Sequence, residues 1–589
     1  MENLPDMTGY IMQGSKYILP ALALWVLLRC LRSMLRERYE PETWAYLVDL
    51  NGTEHPVNHW ECIVGRSRSA DIVLDDPTVS RMHASLQRDG DGDWTLTDLR
   101  SRGGTYVNGE EAGAWESVGD GDEIDFAAEA TAFREISGAE RERLERRRSA
   151  PGRSVGPGVT LLILSLFQAF LALEFTVTAD GEHLYSICLA FLALMAAEWF
   201  CYLFMRTLGR TGFEPETLAF FLTTLGLEVC ATSTPEDMFK EVVLILAGVA
   251  LFFFLGWWLR DLERVKRTRW LAAAAALGLL ALNLAMGEVR GGSMNWLEIG
   301  GFTIQPSELV KVCYIYAGAA TLDRLFARRN LFGYIAFSAV CVCALALMGD
   351  FGTAVIFFAT FLVVSFLRSG SFATVLLAVS GAGLAGFLVL SVKPYIAQRF
   401  ATWGHAWEDV WDAGFQQTRA MSAAASGGLF GQGAGEGWLK DIVAANTDMV
   451  FALLSEELGL IIAVTAMLAV IALALFAVRN AAQGRSTFYV IAGCAAVSLM
   501  MVQMGLNVFG SLDILPFTGV TFPFVSKGGT SLLSCWMLLA FVKATDTRRD
   551  ASFVVRRERR RVRADEREAY PEDYDGDGDY YDEGEEELR

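Results

Sequence analysis

Long apolar runs most strongly constrain how this chain can fold. A first run near residues 17–28 precedes Arg29, Arg32 and Arg36 and lacks a small-residue cleavage site, which indicates a retained anchor. Because the composition is 53% hydrophobic, a soluble multidomain protein is excluded. With the twelve later runs we predict a polytopic α-helical membrane protein of about thirteen transmembrane helices. Those runs lie near residues 158–177, 184–206, 215–232, 239–259, 270–287, 306–322, 331–348, 352–367, 371–391, 449–477, 486–508 and 528–543.

Basic residues predict which loops face the cytoplasm. They fall on alternate loops, which is the positive-inside pattern. The loops 288–305, 392–447 and 509–527 are therefore expected outside, and a loop as long as 392–447 is usually functional. The basic residues are Arg260, Arg264, Lys266, Arg267, Arg269, Arg324, Arg328, Arg329, Arg368, Arg479, Arg485, Lys543, Arg548 and Arg549.

Between Arg38 and Gly156 the hydropathy falls, and short alternating runs are separated by turn residues. This pattern predicts a β-sandwich of about a hundred residues, inserted after the first helix. The expected organisation is an anchor (1–38), the sandwich (39–138), a basic linker (139–157), an accessory helix pair (158–212), a membrane core (213–546) and a charged, disordered cytoplasmic tail (547–589).

The sandwich segment carries three ordered motifs: Gly65-Arg66, Ser80-Arg81-Met-His83 and Ser101-Arg-Gly-Gly-Thr-Tyr-Val-Asn-Gly109. Over about residues 44–135 it resembles the forkhead-associated (FHA) family, which implies binding of phosphothreonine peptides. The implied peptide-binding residues are Arg66, Ser80, Arg81, Thr105 and Asn108, and the first three could supply charge-assisted donors to a phosphate. Gly103 stands where the family usually has Asn. The alternative is a sandwich kept for folding or protein contact alone.

Four ordered motifs mark the membrane core, and from about residue 213 to 544 the chain resembles the SEDS family (shape, elongation, division and sporulation; FtsW, RodA and SpoVE). The resemblance implies a ten-helix enzyme that polymerises lipid II into glycan strands. The motifs are Asn295-Trp-Leu-Glu-Ile-Gly300 with Gln305-Pro-Ser-Glu-Leu-Val-Lys311; Gly349-Asp-Phe-Gly-Thr353; Ser426-Gly-Gly-Leu-Phe-Gly-Gln-Gly433 with Asn446-Thr-Asp-Met-Val-Phe-Ala452 and Glu456-Glu-Leu-Gly459; and Leu515-Pro-Phe-Thr-Gly-Val-Thr-Phe-Pro-Phe-Val-Ser-Lys-Gly-Gly529.

Asp448 matches the family's catalytic aspartate, and an acid at the mouth of an apolar helix usually faces a cavity. Its implied role is the general base that activates a sugar hydroxyl. The alternative role is an N-cap on the helix that follows. The family also implies a divalent cation, Mg²⁺ or Mn²⁺, for which the Asp448 carboxylate is a suitable ligand.

Other motif residues are expected near the substrate cavity. Glu308 and Lys311 are three residues apart on one helix and should pair, either for structure alone or for substrate binding. Asp350 either lines the cavity or begins a helix. The remaining candidates are Ser426, Gly427, Gly428, Ser526, Lys527 and Gly528.

Three positions depart from the family pattern: Asn295 replaces an Arg, Arg419 a Gln and Lys527 a Tyr. Two of the changes add positive charge, and one removes it. Altered donor handling or reduced activity therefore stays open.

The residues and resemblances together predict an inverting peptidoglycan glycosyltransferase of the cytoplasmic membrane, with an outer catalytic loop and a cytoplasmic FHA regulator. The implied partners are lipid II, a class B penicillin-binding protein and a phosphothreonine protein or Ser/Thr kinase; no nucleic acid is expected. A lipid II flippase and a non-catalytic cell-division scaffold are the alternatives.

Overall fold

The computed structural model describes residues 4–36, 42–148, 155–290, 293–299, 302–322, 328–369, 372–383, 402–548 and 551–552, apart from positions 69, 90, 91, 114, 180, 374, 382 and 482. Most of the predicted tail, residues 149–154 of the basic linker and most of the apolar run 371–391 lie outside these residues.

Residues 45–135 form the expected β-sandwich. One sheet has the strand order β2-β1-β11-β10-β7-β8, and the other has the order β4-β3-β5-β6-β9. On several strands alternate residues point inwards; on β6, for example, Trp94 and Leu96 are buried between the sheets. The strands are β1 (Ala45–Asp49), β2 (Glu54–Val57), β3 (Glu61–Gly65), β4 (Ile72–Val73), β5 (Ala84–Arg88), β6 (Trp94–Asp98), β7 (Thr105–Val107), β8 (Glu110–Glu111), β9 (Glu116–Val118), β10 (Glu123–Phe126) and β11 (Glu129–Glu135).

The first part of the predicted linker is helical. Helix α2 spans Gly138–Arg148, because Ala, Leu, Glu and Arg, which favour helices, make up most of its sequence. The basic linker predicted from residue 139 thus begins with a helix.

The anchor and the accessory pair are three long helices: α1 (Leu4–Arg36), α3 (Pro157–Thr178) and α4 (Gly181–Thr207). Helix α1 packs against α3 and against the core helix Leu460–Ala481.

The core begins with α5 (Glu214–Ser233), which lies at the centre of the bundle with every residue from Glu214 to Ala231 buried. The other core helices are α6 (Met238–Trp258), α7 (Leu262–Met286), α8 (Pro306–Leu322), α9 (Arg328–Leu347), α10 (Phe351–Ser369), α11 (Phe415–Gly427), α12 (Ala445–Asp448), α13 (Val450–Glu457), α14 (Leu460–Ala481), α15 (Thr487–Ser511) and α16 (Gly529–Ala544).

Two local features differ from the predicted spans. The apolar run 449–477 is divided into α13 and α14, because Leu458 ends the first helix and Gly459 has a φ of +90°. The loop 288–305 contains a small antiparallel sheet of β12 (Glu288–Arg290), β13 (Ser293–Ile299) and β14 (Phe302–Ile304).

Among the described residues, seven helices are long and apolar enough to cross a membrane, and three shorter helices are also apolar. These helices support the predicted fold class. The count of thirteen transmembrane helices stays a prediction.

The sandwich contacts the helical part of the chain directly. The Trp60 amide donates to the Arg485 carbonyl (2.7 Å), and the Arg485 guanidinium bonds to the Glu42 carboxylate (2.6 Å). The Trp60 ring also meets Tyr489 edge to face at 6.4 Å. Residues at and just before the start of α15 therefore contact the sandwich.

Candidate active site and phosphopeptide surface

Asp448 lies at a break between two short helices. It is the last residue of α12, its side chain is half-buried, and α13 begins two residues later at Val450. The chain enters α12 through Ala444, whose φ is +64°. Met449 occupies the N-cap position of α13, so the alternative in which Asp448 caps that helix is wrong.

Two side chains, those of Asn507 and Ser526, fix the backbone at Asp448. The sequence analysis did not name Asn507, and it placed Ser526 only near the substrate cavity. Buried Asn507 of α15 donates its side-chain amide to the carbonyls of Thr447 (3.3 Å), Asp448 (3.1 Å) and Val520 (2.8 Å). The Ser526 hydroxyl donates to the Thr447 carbonyl at 2.6 Å. The signal for Asn507 was available, since an amide within an apolar run seldom lacks a task.

Gly519 gives the Asp448 carboxylate its room. Its φ is +67°, and a Cβ at this position would lie 3.1 Å from Asp448 Oδ2. Any other residue would therefore be strained and would crowd the acid.

Lys527 lies beside the Asp448 segment and forms an ion pair with Asp237. Its amide donates to the Asn446 carbonyl (2.8 Å), while its ammonium bonds to Asp237 Oδ2 at 2.5 Å. The extra positive charge of this position is thus matched by a carboxylate at the start of α6. Gly528, the next residue, is the N-cap of α16.

Glu308 and Lys311 form the expected ion pair, with a distance of 2.6 Å, and both are buried. Lys311 Nζ also donates to Gln503 Oε1 (3.1 Å), and Gln503 donates onward to the Thr521 hydroxyl (2.8 Å). Ser534 donates to Glu308 Oε2 at 2.9 Å. The pair therefore connects α8, α15 and α16 to the loop that carries Gly519.

The Ser426-Gly427-Gly428 segment is a packing contact in this structure. A Cβ on Gly427 would lie 1.9 Å from the Ser455 carbonyl oxygen, so α11 approaches the backbone of α13 as closely as glycine allows. Gly428 has a φ of +57°, and the Ser426 hydroxyl donates to the Ala423 carbonyl at 2.8 Å. The expectation that Gly427 faces a substrate cavity is wrong, because its surface is covered by α13.

The other two unusual positions also have partners. Asn295 donates to the Asp350 carboxylate, and Asp350 Oδ1 accepts the Thr353 amide at 3.0 Å, as at a helix start. The Arg419 guanidinium lies over the Trp411 ring, 5.2 Å from its centroid. None of the three departures leaves a charge without a neighbour.

Arg66, Ser80 and Arg81 come together at one end of the sandwich. Backbone bonds join the two loops: the Arg66 amide donates to the Ser80 carbonyl (3.0 Å), and the Ser67 amide donates to that of Arg81 (3.0 Å). Both arginines are exposed, and the Ser80 hydroxyl accepts the Arg102 amide at 3.0 Å.

The Thr105 and Asn108 side chains form hydrogen bonds within the sandwich. The Thr105 side chain is buried and donates to Asp98 Oδ2 (2.5 Å), which argues against a peptide contact through its hydroxyl. Asn108, with a φ of +53°, donates to Asp122 Oδ1 (3.0 Å), and this bond lowers the pKa of the Asp122 carboxyl. At Gly103 a Cβ would lie 2.3 Å from the Ala127 Cβ, so an Asn cannot replace it in this conformation.

A divalent cation at Asp448 would need ligands in addition to this carboxylate. Within the described part of the sequence, no three His, Cys, Asp or Glu residues are grouped so that they could hold a metal ion. Asp448 supplies a single carboxylate. Mg²⁺ is commonly held by one or two carboxylates together with substrate phosphates and water, so the donor set fits only a substrate-bridged ion.

Comparisons with known proteins identify both parts. The FtsW/RodA/SpoVE model, described as a cell cycle protein, matches residues 221–550, and the FHA domain model matches residues 62–127. The probable peptidoglycan glycosyltransferase FtsW of Tolumonas auensis is 31% identical over 361 residues, which cover 58% of this chain and 94% of that protein. Stage V sporulation protein E of Bacillus subtilis is 31% identical over 313 residues, covering 50% and 83%.

A solved structure of the rod shape determining protein RodA of Thermus thermophilus is 22% identical and has a TM-score of 0.43, covering 57% of this chain and 97% of that one. The family model alone spans more than half of the sequence. The chain therefore belongs to the FtsW/RodA/SpoVE family and carries an FHA domain before its membrane core.

Proposed function

We propose that the chain is a peptidoglycan glycosyltransferase that polymerises lipid II into glycan strands. Membership of a family whose relatives are named for this activity supports the assignment. The observation that carries the mechanism is the half-buried Asp448 carboxylate, held at a helix break by Asn507 and given room by Gly519.

Asp448 is the general base in this mechanism. Strand growth requires a sugar hydroxyl of one lipid II to attack the anomeric carbon of another and displace the lipid pyrophosphate, with inversion. A positioned carboxylate that removes the hydroxyl proton contributes about 10²–10⁴-fold to the rate. Fixing the Asp448 backbone keeps the base in line with the hydroxyl, since misplacement by about 1 Å can cost 10²-fold.

Lys527 and a divalent cation would stabilise the leaving pyrophosphate. The Lys527 ammonium is partly exposed beside the Asp448 segment, and a phosphate oxygen that took the place of Asp237 would still neutralise the Lys527 charge. An Mg²⁺ or Mn²⁺ ion, if bound, would be held by Asp448 together with substrate oxygens and would neutralise phosphate charge. Glu308 and Lys311 support the neighbouring loop through Gln503.

The FHA domain would bring a phosphothreonine protein to the enzyme. Arg66 and Arg81 are exposed at one end of the sandwich and present two cations to a phosphate dianion. A class B penicillin-binding protein, which would cross-link the product, is the second partner that we propose. The FHA domain and the charged tail would be cytoplasmic, and the Asp448 loop would face outwards.

The test of the catalytic assignment uses purified full-length chain and lipid II in detergent. We expect long glycan strands from the wild type and from Asp412→Asn, an exposed acid of the same loop region, and none from Asp448→Asn. Full activity of folded Asp448→Asn would contradict the role of this carboxylate. Lipid II movement in vesicles without polymerisation would identify a flippase. If the chain shows neither activity, the non-catalytic scaffold is the remaining alternative.

A second experiment tests the phosphopeptide surface. The wild-type chain should retain phosphothreonine peptides, and Arg66→Ala should lose them, while Arg100→Ala, another exposed arginine of the sandwich, serves as the matched control. Equal retention by wild type and Arg66→Ala would remove phosphate recognition at this surface.

A further inference from the structure

The accessory helices reach the loop that precedes Asp448. Helices α1 and α3 lie outside the family-matching residues 221–550. Both nevertheless contact residues 431–439, called here the 431–439 loop. Phe430, just before this loop, meets the Tyr17 ring of α1 at 4.9 Å.

Within the core, two neighbouring carboxylates of α13 hold the 431–439 loop. Glu456 accepts the amides of Trp438 (3.2 Å) and Leu439 (3.0 Å). Glu457 Oε2 accepts the Gly435 amide at 2.7 Å and the Thr232 hydroxyl at 2.9 Å. The loop is therefore tied to the end of α13 opposite Asp448.

A third carboxylate comes from α3. Glu174 Oε2 accepts the Ala434 amide at 3.1 Å, and the Glu174 side chain is only 1% exposed. Ser15 of α1 bonds to the same carboxylate, and Lys16 lies close enough to interact with its charge. A buried carboxylate with these partners favours one position of the loop, because leaving it without the Ala434 donor would be costly.

Steric fit reinforces the contact. A Cβ on Gly433 would lie 2.5 Å from the Met12 methyl group of α1, and one on Gly435 would lie 3.1 Å from the Thr178 hydroxyl of α3. Both glycines also have positive φ values, +124° and +80°. The 431–439 loop is thus shaped to approach α1 and α3 closely.

We infer that Glu174 is a positioning residue for the glycosyl transfer, acting from an accessory helix through the 431–439 loop. Helix α13 has only eight residues, with Asp448 two residues before its first residue and Glu456 and Glu457 at its end. Movement of the 431–439 loop would therefore shift α13 and, with it, the proposed base Asp448. This inference rests on the proposed function, because it concerns the placement of Asp448 for that reaction.

The first measurement follows the loop without using activity. Ala434 is fully buried, so Ala434→Cys in the otherwise wild-type full-length chain should react slowly with a hydrophilic maleimide in detergent. The labelling of the same chain with Ala434 unchanged is subtracted in each case. Adding Glu174→Leu should raise the labelling rate about tenfold, since a hydrogen bond to a charged group is lost. Glu174→Gln keeps an acceptor oxygen and should give a smaller rise of about threefold.

The matched control is Leu173→Ala, which changes the neighbouring, exposed residue of α3. Its labelling rate should equal that of the Ala434→Cys parent. Unchanged labelling in Glu174→Gln and Glu174→Leu overturns the inference; if Glu174→Leu does not fold, Glu174→Gln alone decides it.

The second measurement is polymerisation of lipid II. Glu174→Leu should lower kcat about tenfold with little change in KM, because the base and not substrate binding is displaced, and Glu174→Gln should retain most activity. Increased labelling with unchanged kcat also overturns the inference. An inactive wild type rejects the proposed function, and the labelling result distinguishes that failure from failure of the loop contact.

Discussion

At the scale of single residues, neutral side chains hold the segment that carries the proposed base, Asp448. The motifs led to Asp448, Glu308 and Lys311, whereas Asn507 lay within an apolar run and carried no titratable group. Its three donated hydrogen bonds join two loops that are far apart in sequence. Such a role depends on loop geometry, which the sequence does not contain.

Asn507→Ala should therefore impair catalysis without abolishing substrate binding. Because the backbone at Asp448 would lose its direct tie to α15, we expect kcat to fall about 10²-fold and KM to change little. Polymerisation of lipid II by the purified variant measures both. Ser498→Ala, on the same helix, is the control and should behave like wild type; an Asn507→Ala variant with normal kcat would contradict the role.

The Asp122 carboxyl gives the FHA domain a pH-dependent contribution to stability. The hydrogen bond from Asn108 lowers its pKa in the folded state, so the ionised form stabilises the fold above the unfolded pKa of about 3.9. That contribution is lost as the pH falls through the lower, folded value.

Asp122→Asn should accordingly be less stable than wild type at pH 7, and the difference should shrink below pH 4. Thermal unfolding of the full-length chain, followed by tryptophan fluorescence, measures the difference. The exposed Glu110→Gln is the control for simple loss of charge. A gap of constant size from pH 7 to pH 3 would show that the Asp122 charge is not the cause.

At the scale of helices and strands, close backbone contacts decide features that hydropathy cannot show. The run 449–477 is mostly apolar, yet it forms α13 and α14 with a turn between them. A Cβ on Gly459 in that turn would lie 2.4 Å from the Leu429 carbonyl oxygen. The segment that follows α11 packs against this turn, and only glycine leaves room for it there.

Gly427→Ala should destabilise the membrane core. The added Cβ would overlap the Ser455 carbonyl oxygen, and overpacking of this kind costs about 1–3 kcal/mol. Gly278→Ala on α7 is the matched control: nothing lies within 4 Å of its Cβ, so helix propensity should make it neutral or stabilising by about 0.5–1 kcal/mol. Thermal unfolding in detergent measures both, and equal melting temperatures would refute the proposed α11–α13 contact.

At the scale of the whole molecule, buried ion pairs join segments that are distant in sequence. Arg548 pairs with Glu214 at the start of α5 (2.8 Å), and Lys543 near the end of α16 pairs with Glu216 (3.2 Å). Arg485 joins the sandwich to the core through Glu42 and also donates to the Ser552 hydroxyl (3.0 Å) and the Thr547 carbonyl (2.9 Å). The Arg485–Glu42 bond holds the FHA domain against the core, and the other contacts fix Arg485 and the ends of the core helices.

Arg485→Ala should loosen the sandwich on the core without unfolding it. The Arg485 guanidinium is buried, and losing its three hydrogen bonds should raise amide exchange around Trp60 by about tenfold or more. Hydrogen-exchange mass spectrometry of the full-length chain measures this, with the exposed Arg206→Ala as the control. Unaltered exchange at residues 59–61 would mean that Arg485 does not hold the sandwich.

The fold class was predictable because its signals are local. Apolar length indicates membrane helices, alternation indicates strands, and motif order indicates both families; the later comparisons support each of these. The Glu308–Lys311 pair was predictable for the same reason, since both residues lie on one helix face. The covered surface of Gly427 and the buried Thr105 hydroxyl were not, because each depends on a partner elsewhere in the chain.

The sequence by itself determined that this is a helical membrane protein with an appended β-sandwich, and it indicated Asp448 as the acid to examine, because hydropathy, alternation and motif spacing are properties of neighbouring residues. Only the tertiary structure decided how that acid is held. Asn507, Ser526 and Glu174 act on the Asp448 segment or its preceding loop through contacts that span from about 60 to 260 residues of chain. Packing alone brings such residues together.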